Sequence, residues 1–321
     1  MEVEISAAKS FRIQIDFLFF KEYNYLINLQ MVKCMFEQLK IKQELKRLNI
    51  PYGTITLIHN KDGVIVARVR SDTKSYIIKY FQNEDFKREI RNYQLLDVIN
   101  IPTVKVFGFT DSAILMEDVS ESDFFRLATK EDLDDVMIAS KIAEWYKLLH
   151  TSSKNFVKEN ITELYDETDF ITRENIEFIK SKTGTQSLPV WKIINDSFDI
   201  IVSKIRSLPR VLTYNDFYYT NLIVAKDKSS AFMFDYNLLG KGYVYSDIRN
   251  VCYSLGENAK RTFLEAYGEF DKSEIIVDDV ASVLVTLYHA CQRKHFPDWA
   301  NSVLDDLKNN FDKKVQVLLD Q

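Results

Sequence analysis

Asp216, Asn221 and Asp235 stand at fixed intervals around one predicted β-hairpin, and this spacing constrains the fold more than any other feature of the sequence. Four residues separate Asp216 from Asn221. Two short apolar runs, divided by the polar turn at residues 225–230, separate Asn221 from Asp235. Apolar runs on either side of a polar turn predict a β-hairpin. The hairpin would place Asn221 and Asp235 side by side at its open end.

The residue types at these positions suit phosphoryl transfer. Asn221 and Asp235 offer hard oxygen ligands, which Mg²⁺ prefers, and Mg²⁺ neutralises the charge that develops on phosphate oxygens. A carboxylate such as Asp216 can orient an acceptor hydroxyl and take its proton as the bond to phosphorus forms. The gap from Asp216 to Asn221 also matches the catalytic-loop spacing of phosphoryl-transfer enzymes. We therefore predict Asp216 as a catalytic residue and Asn221 and Asp235 as metal ligands.

An upstream β-rich region predicts a site for nucleotide phosphates. Three runs at residues 54–58, 64–70 and 75–81 are divided by turn sequences and predict an antiparallel meander. Lys79 lies among apolar neighbours in the third run, and Glu89 follows in a segment with helical periodicity. A strand Lys paired with a helix Glu positions nucleotide phosphates in kinases. Lys79 and Glu89 are therefore predicted cofactor-binding residues.

The order of these elements resembles the aminoglycoside phosphotransferase and choline kinase-like family, the small-molecule branch of the protein kinase-like fold. The resemblance extends from about residue 50 to the C-terminal helices. It implies an α+β, bilobal kinase-like fold with a small antiparallel β lobe and a larger, mainly helical lobe. The residues that carry it, in chain order, are Lys79, Glu89, the segment from Met116 to Val119, Asp216, Asn221 and Asp235.

The resemblance also assigns roles to the segment that follows the β lobe. It implies that the backbone carbonyl of Glu117 and the backbone N–H of Val119 pair with a purine while Met116 walls the pocket. Taken alone, Met116 is as readily a core methionine. Because backbone groups would do the pairing, the side chains do not separate ATP from GTP as the donor. Asp247 is similar to a family residue that braces the catalytic loop.

Two departures from the family pattern bear on activity. Tyr214 stands where the family has the His of a His-Gly-Asp or His-Asn-Asp motif. That His ties the loop to neighbouring backbone, and a phenol that packs and donates one hydrogen bond can replace it. The first hairpin has only Gly63 where protein kinases carry a glycine-rich loop, which agrees with the small-molecule branch.

The function implied by the resemblance is Mg²⁺-dependent transfer of the terminal phosphoryl group of ATP or GTP to a small-molecule hydroxyl. The acceptor would be aminoglycoside-like or amino-alcohol-like. Two alternatives stay open. One is a catalytically silent, nucleotide-binding pseudokinase, which the replacement of His by Tyr214 motivates. The other is a structural or assembly protein, like the spore-coat proteins that resemble this family.

Composition narrows the classes of partner. A net charge of −5, with Lys and Arg spread among Asp and Glu, argues against a nucleic-acid partner. The most apolar N-terminal run, residues 17–20, is cut short by Lys21 and Glu22, so a membrane segment is not expected. The three cysteines are too few for a disulfide framework and suggest a reducing cytoplasm. The expected partner is a small molecule, and the sequence is silent on oligomeric state.

Three regions are predicted along the 321 residues. Residues 1–50 would form a helical extension that packs on the small lobe, residues 51–117 the nucleotide-binding β lobe, and residues 118–321 the helical lobe with the catalytic loop and the acceptor site. Within the extension, Phe36, Leu39, Leu45 and Leu48 suggest the apolar face of an amphipathic helix. The stretch before Met31 is interpreted either as another packed helix or as an extension of the reading frame.

Overall fold

The computed structural model describes residues 35–159 and 164–321 of the chain. These residues divide into two compact units. The smaller contains residues 35–90 with Lys105–Glu121, and the larger contains Arg91–Val104 with the described part of Ser122–Gln321. The predicted structure before residue 35 lies outside the described residues.

This division differs from the boundary that we predicted between residues 117 and 118. The segment that follows residue 117 stays with the smaller unit because Asp118 is bonded there to Arg68. Arg91–Val104 belongs to the larger unit, where Asn92 donates a hydrogen bond to the carbonyl of Tyr236 at 2.7 Å. Single side-chain contacts of this kind leave little trace in a single sequence.

The smaller unit is built on a five-stranded antiparallel sheet in the order β1-β2-β3-β5-β4. The meander predicted over its first three strands is confirmed. Between β1 and β2, Asp62 and Gly63 both have positive φ, as a tight hairpin turn requires. The strands are β1 Thr54–Lys61, β2 Val64–Arg70, β3 Ser75–Phe81, β4 Val106–Phe109 and β5 Ala113–Glu117.

A helix, α1, whose described part spans residues 35–47, packs against this sheet. Ile41 and Leu45 are fully buried and share a core with residues of β2, β3 and β5. The predicted helical face is partly wrong, because Phe36 and Leu39 are exposed. The helix carries apolar residues on more than one face, so spacing alone did not decide which face meets the sheet.

The larger unit is mainly helical, and its main core surrounds one long central helix, Ser273–Cys291. Side chains from five other helices pack around it, with Trp191 and Phe311 among the largest that are fully buried. The helices are α2 Arg88–Val98, which begins in the smaller unit, α3 Val136–Glu159, α4 Arg173–Thr183, α5 Val190–Asp196, α6 Phe198–Ser207, α7 Val244–Ser254, α8 Glu257–Tyr267, α9 Ser273–Cys291, α10 Asn301–Asn309 and α11 Phe311–Asp320.

Two small sheets complete the larger unit. The predicted hairpin is confirmed, because β8 pairs with β9 in antiparallel register and Leu222 lies opposite Met233. A short strand, β6, pairs with the other edge of β8, and β7 pairs with β10 in a separate two-stranded sheet. The strands are β6 Phe125–Leu127, β7 Val211–Thr213, β8 Leu222–Ala225, β9 Ala231–Met233 and β10 Gly240–Gly242.

The predicted fold class, a small antiparallel β region with a larger helical one, is confirmed by this arrangement of strands and helices. None of the helices over the described ranges 35–159 and 164–321 combines the length and the apolar character needed to cross a bilayer.

Candidate active site

In the smaller unit, Lys79 and Glu89 form a buried ion pair. Lys79 lies in β3 between Val66 of β2 and Ile114 of β5, so strand neighbours surround its aliphatic stem. Its Nζ is 2.6 Å from Oε2 of Glu89, near the start of α2, and the two side chains are 10% and 1% exposed. The desolvation cost of burying two charges is about as large as their electrostatic attraction, so a buried ion pair adds little to stability. The Lys79–Glu89 pair is therefore better explained by a functional role.

The segment predicted to pair with a purine follows β5. Met116 is buried near the end of β5, and partly buried Glu117 ends the strand. The N–H of Glu117 donates to the carbonyl of Lys105 at 2.9 Å. Among the described residues, the N–H of Val119 has no hydrogen-bond acceptor. The backbone donor that the resemblance assigns to the purine is therefore available.

Asp118, to which the sequence analysis gave no role, anchors this segment. Its buried carboxylate accepts hydrogen bonds from Nε of Arg68 and Oγ of Ser75, both at 2.6 Å, and from Oγ of Ser120 at 2.6 Å. Burial alone would raise the pKa of Asp118, but these hydrogen bonds together lower it below its ordinary value. One weak sequence signal existed, because Arg68 interrupts the otherwise apolar run of β2.

In the larger unit, Asp216 and Asn221 of the predicted catalytic loop are in direct contact. Nδ2 of Asn221 donates to Oδ2 of Asp216 at 3.0 Å and to the Asp216 carbonyl at 3.2 Å. Because the amide nitrogen faces Asp216, the amide oxygen remains for another ligand. Asp216 itself is exposed, so an acceptor molecule can reach its carboxylate.

Asp235 follows β9 by two residues and lies close to Asn221, which directly precedes β8, as the predicted hairpin requires. The carbonyl of Asn221 accepts the N–H of Phe234 at 3.0 Å, which brings the next residue, Asp235, beside Asn221. Asp235 has a φ of 62°, a left-handed conformation that is uncommon outside glycine, and its N–H donates to the Tyr93 hydroxyl at 3.3 Å. The structure therefore brings Asp216, Asn221 and Asp235 together.

Tyr214 fills the structural role predicted for it. It is fully buried, and its hydroxyl donates to the carbonyl of Phe234 at 2.6 Å, one residue before Asp235. Its ring meets those of Trp145 and Tyr236 edge to face. Burial, helped by the nearby carboxylates, raises the pKa of the Tyr214 phenol well above its ordinary value, so it stays a hydrogen-bond donor. The phenol thus ties the predicted catalytic loop to the segment that carries Asp235.

Asp247 braces the loop from helix α7, as the resemblance implied. Its fully buried carboxylate accepts the N–H of Tyr214 at 2.8 Å and that of Asn215 at 3.0 Å. These contacts hold Asn215 at a φ of 65°. His150 of α3 extends the network, with Nε2 3.1 Å from Asp247 and Nδ1 2.8 Å from the hydroxyl of Tyr267. The supporting role of His150 was not predicted, since its partners lie about a hundred residues away in sequence.

A cavity of about 190 Å³ lies beside the loop in the larger unit. The short 3₁₀ turn Glu167–Phe170 borders it, held in place because the N–H of Lys241 donates to the carbonyl of Tyr165 at 2.7 Å. A side chain on Gly240 would put Cβ 2.2 Å from that carbonyl oxygen, so the approach requires glycine. The lining residues used below are Glu167, Asn215, Lys241, Tyr243, Arg249 and Trp299.

The donor set at the hairpin fits Mg²⁺ bound together with phosphates. Within the described ranges, no group of three His, Cys, Asp or Glu side chains could hold a metal ion by itself. Asn221 and Asp235 offer one amide oxygen and one carboxylate, and Mg²⁺ is commonly held by one or two carboxylates with substrate phosphates.

Comparison with known proteins identifies the fold. No protein-family model and no curated protein matches this sequence. Solved structures do match, at low sequence identity. The choline kinase of Streptococcus pneumoniae has a TM-score of 0.57 and 14% identity, over 89% of this chain and 100% of that one. The ethanolamine kinase of Plasmodium vivax has a TM-score of 0.52 and 17% identity, over 83% and 81% respectively.

A third similar structure is the macrolide 2'-phosphotransferase of Brachybacterium faecium, with a TM-score of 0.56 and 13% identity over 84% of this chain and 97% of that one. Other similar structures contain AMP, or ADP with spectinomycin. This chain therefore has the protein kinase-like fold of small-molecule phosphotransferases. The resemblance predicted from the sequence is confirmed at the level of the fold.

Proposed function

We propose that this protein is a Mg²⁺-dependent phosphotransferase that moves the terminal phosphoryl group of ATP or GTP to a hydroxyl of a small molecule. The observation that carries the proposal is the contact between Asp216 and Asn221 at 3.0 Å, with Asp235 beside Asn221 just after β9. Tyr214 and Asp247 hold this constellation from two sides. Such a buried support is expected where catalytic groups must keep a fixed geometry.

The smaller unit would bind the nucleotide. Lys79 contacts phosphate oxygens, while Glu89 holds the ammonium group in position. The carbonyl of Glu117 and the N–H of Val119 pair with the purine, and Met116 contacts its face. Solved neighbours that contain AMP and ADP support an adenine nucleotide as one donor.

The larger unit would carry the chemistry. The amide oxygen of Asn221 and the carboxylate of Asp235 hold Mg²⁺, which when bound neutralises charge on the phosphate oxygens. Asp216 accepts a hydrogen bond from the acceptor hydroxyl, orients its oxygen toward the phosphorus and takes the proton. The choline kinase, ethanolamine kinase and macrolide phosphotransferase that share the fold support a small-molecule acceptor.

The pseudokinase alternative depended on the replacement of the family His by Tyr214. The observed contacts of Tyr214 weaken the argument for this alternative. A phenol that ties the loop to the segment just before Asp235 keeps the arrangement that the family His would keep. A structural or assembly protein would need neither the buried Lys79–Glu89 pair nor an Asn221 amide turned toward Asp216. Both observations favour catalysis.

Nucleotide turnover with a panel of hydroxyl acceptors tests the proposal. ADP release would be measured with Mg²⁺-ATP for the wild type and for Asp216→Asn, which keeps the shape of the side chain but removes the proton acceptor. We expect acceptor-dependent turnover in the wild type and a loss of about 10²–10⁴-fold in kcat in the variant. Equal turnover in both proteins would contradict the role of Asp216.

A further inference from the structure

The Glu167 carboxylate differs from the other charged groups that line the cavity. Arg249 donates to Asp278 at 2.6 Å and to Asn250 at 2.8 Å, so its charge is already matched. Lys241, the other cation that lines the cavity, is not free either. Asp166 accepts the hydroxyl of its neighbour Thr168 at 2.6 Å. Glu167, in contrast, has no hydrogen bond or ion pair with any side chain in the described part of the protein. Its partly buried carboxylate is therefore available to a ligand.

Burial has a measurable consequence for this carboxylate. Desolvation raises the pKa of Glu167 to about 7, with nearby Asp247, Asp278 and Asp166 adding to the rise and Arg249 opposing it. A cation that enters the cavity stabilises the ionised form of such a desolvated carboxyl group, because it replaces the lost hydration with a charge-assisted hydrogen bond. At the Glu167 carboxylate, the cavity therefore favours a positively charged group over a neutral one.

The size of the cavity limits the ligand. A volume of about 190 Å³ is below the ~300–1,000 Å³ usual for sites that enclose drug-sized molecules. A trisaccharide antibiotic or a macrolide exceeds this space, whereas an amino alcohol of a few carbon atoms does not. Tyr243 and Trp299 add aromatic surface to the wall, on which a cationic head group can rest.

The cavity lies beside the chain segment that carries the proposed catalytic carboxylate. Asn215 lines the cavity and immediately precedes Asp216. Its side-chain Nδ2 donates to the carbonyl of Leu238 at 3.0 Å, and its N–H is held by Asp247. Hydrogen bonds fix both the backbone and the side chain of Asn215. The position of the Asp216 backbone relative to the cavity wall is therefore fixed as well.

We propose that Glu167 determines acceptor specificity: its carboxylate binds the ammonium group of a compact amino alcohol whose hydroxyl extends toward Asp216. The inference rests on the proposed function. In the reaction, the hydroxyl proton passes to Asp216 and the hydroxyl oxygen forms the new bond to the terminal phosphorus. The bond from that phosphorus to the bridging oxygen breaks, and the nucleoside diphosphate leaves with its electron pair.

Calorimetric titration with ethanolamine, without nucleotide, tests the cavity by itself. The variant is Glu167→Gln, which keeps the shape and removes the charge, and the matched control is Glu174→Gln on the exposed first turn of α4. We expect the wild type and the control to bind ethanolamine equally. We expect Glu167→Gln to bind it about 30-fold more weakly or worse, as for loss of one partner of a desolvated charge pair. Glycerol, a neutral polyol of similar size, should bind weakly to all three proteins.

Kinetics with Mg²⁺-ATP separate recognition from chemistry. We expect Glu167→Gln to raise the KM for ethanolamine by the same factor while kcat changes less than about threefold, because uniform binding is lost. Asp216→Asn should show the reverse, with ethanolamine binding kept and turnover lost. Thermal unfolding of Glu167→Gln checks its fold, and an uncharged side chain suits the buried position.

The outcomes distinguish this inference from the proposed function. Unchanged ethanolamine binding in Glu167→Gln, or tighter binding of glycerol, serine or spectinomycin than of ethanolamine by the wild type, overturns the inference even if phosphoryl transfer occurs. Ethanolamine binding that depends on Glu167, with no transfer from ATP or GTP to any acceptor, supports the cavity as an ammonium site and overturns the proposed function.

Discussion

The side-chain amide nitrogen of Asn221 lies 3.0 Å from Oδ2 of Asp216, so the proposed metal ligand and the proposed proton acceptor share one hydrogen bond. This contact orients both groups. The amide oxygen of Asn221 remains for another ligand, and the exposed Asp216 carboxylate can be reached by an acceptor hydroxyl. A change at Asn221 should therefore affect Mg²⁺ dependence and proton transfer together.

Asn221→Ala should lower kcat by about 10²-fold or more and raise the Mg²⁺ concentration needed for half-maximal activity, since it removes both an oxygen ligand and the orientation of Asp216. Turnover would be measured across a Mg²⁺ series. Asn301→Ala, at the exposed start of α10, is the matched control and should leave the series unchanged. A variant with normal Mg²⁺ dependence would remove Asn221 from the metal site.

Lys79→Met should destabilise the protein by about 3–5 kcal/mol, because it leaves the Glu89 carboxylate buried without its cationic partner. The double variant Lys79→Met, Glu89→Gln should recover most of that loss, since no uncompensated charge remains. Neither variant should recover affinity for ATP. Urea denaturation would give the stabilities, and nucleotide titration the affinities.

Recovery of both stability and ATP affinity in the double variant would show that the Lys79–Glu89 pair is structural only. This comparison separates the two roles because the double variant restores electrostatic balance without restoring a cation for the phosphates.

Tyr214→Phe should cost about 1–3 kcal/mol of stability, because the carbonyl of Phe234 loses its buried donor. The ring packing against Trp145 and Tyr236 is retained in this variant. We also expect weaker Mg²⁺ activation, since the lost bond lies one residue from Asp235. Denaturation and Mg²⁺-dependent turnover would be measured together, and an unaffected variant would mean that packing alone positions the loop.

Acceptor binding should strengthen as pH rises from about 6 to about 8. The pKa of Glu167 is about 7, so its carboxyl group loses its proton and becomes negatively charged across this range. The nearby charged groups are Asp166, Asp247, Asp278 and Arg249, and Lys241 also lines the cavity. His289, which also lines the cavity, has a pKa that burial and the nearby Arg293 lower below its ordinary value. Ethanolamine affinity in Glu167→Gln should be flat with pH, and a slope equal to that of the wild type would assign the titration elsewhere.

Stability should change with pH in the opposite direction. The folded protein holds the Glu167 proton more tightly than an unfolded chain, in which the pKa has its ordinary value of 4.5. The protonated Glu167 therefore makes its full contribution to the free energy of unfolding below about pH 4.5, and this contribution is lost as pH rises through about 7. Relative to the wild type, Glu167→Gln should gain stability at pH 8 and gain little at pH 5. Glu274, whose burial also raises its pKa to about 7, is common to both proteins and cancels in the comparison.

The sequence predicted the parts of the site that depend on neighbours along the chain. Asp216, Asn221 and Asp235 could be placed because one short hairpin joins them, and hairpin signals are local. Lys79 stood out because a charge in an apolar strand is costly without a partner. Tyr214 was assigned its bracing role from the chemistry of a phenol, and its contacts agree with that assignment.

Residues brought together by tertiary packing could not be predicted in this way. Asp118 meets Arg68 across fifty residues, and His150 reaches Asp247 across ninety-seven. Glu167 borders the cavity only because the chain at Tyr165 packs against Gly240. Neither hydrophobic periodicity nor a turn sequence indicates such pairs of distant residues. For the same reason the packed face of α1 was predicted only in part, since the sheet selects among several apolar faces.

The most direct test of the central claim is a thermal-shift titration with ATP and with GTP, with and without Mg²⁺, on the wild type and on Asp235→Ala. Asp227→Ala, in the exposed turn of the same hairpin, is the matched control. The proposal predicts a Mg²⁺-dependent rise in Tm for the wild type and the control, and loss of its Mg²⁺-dependent part in Asp235→Ala. No shift with either nucleotide, or an equal Mg²⁺-dependent shift in Asp235→Ala, would contradict it.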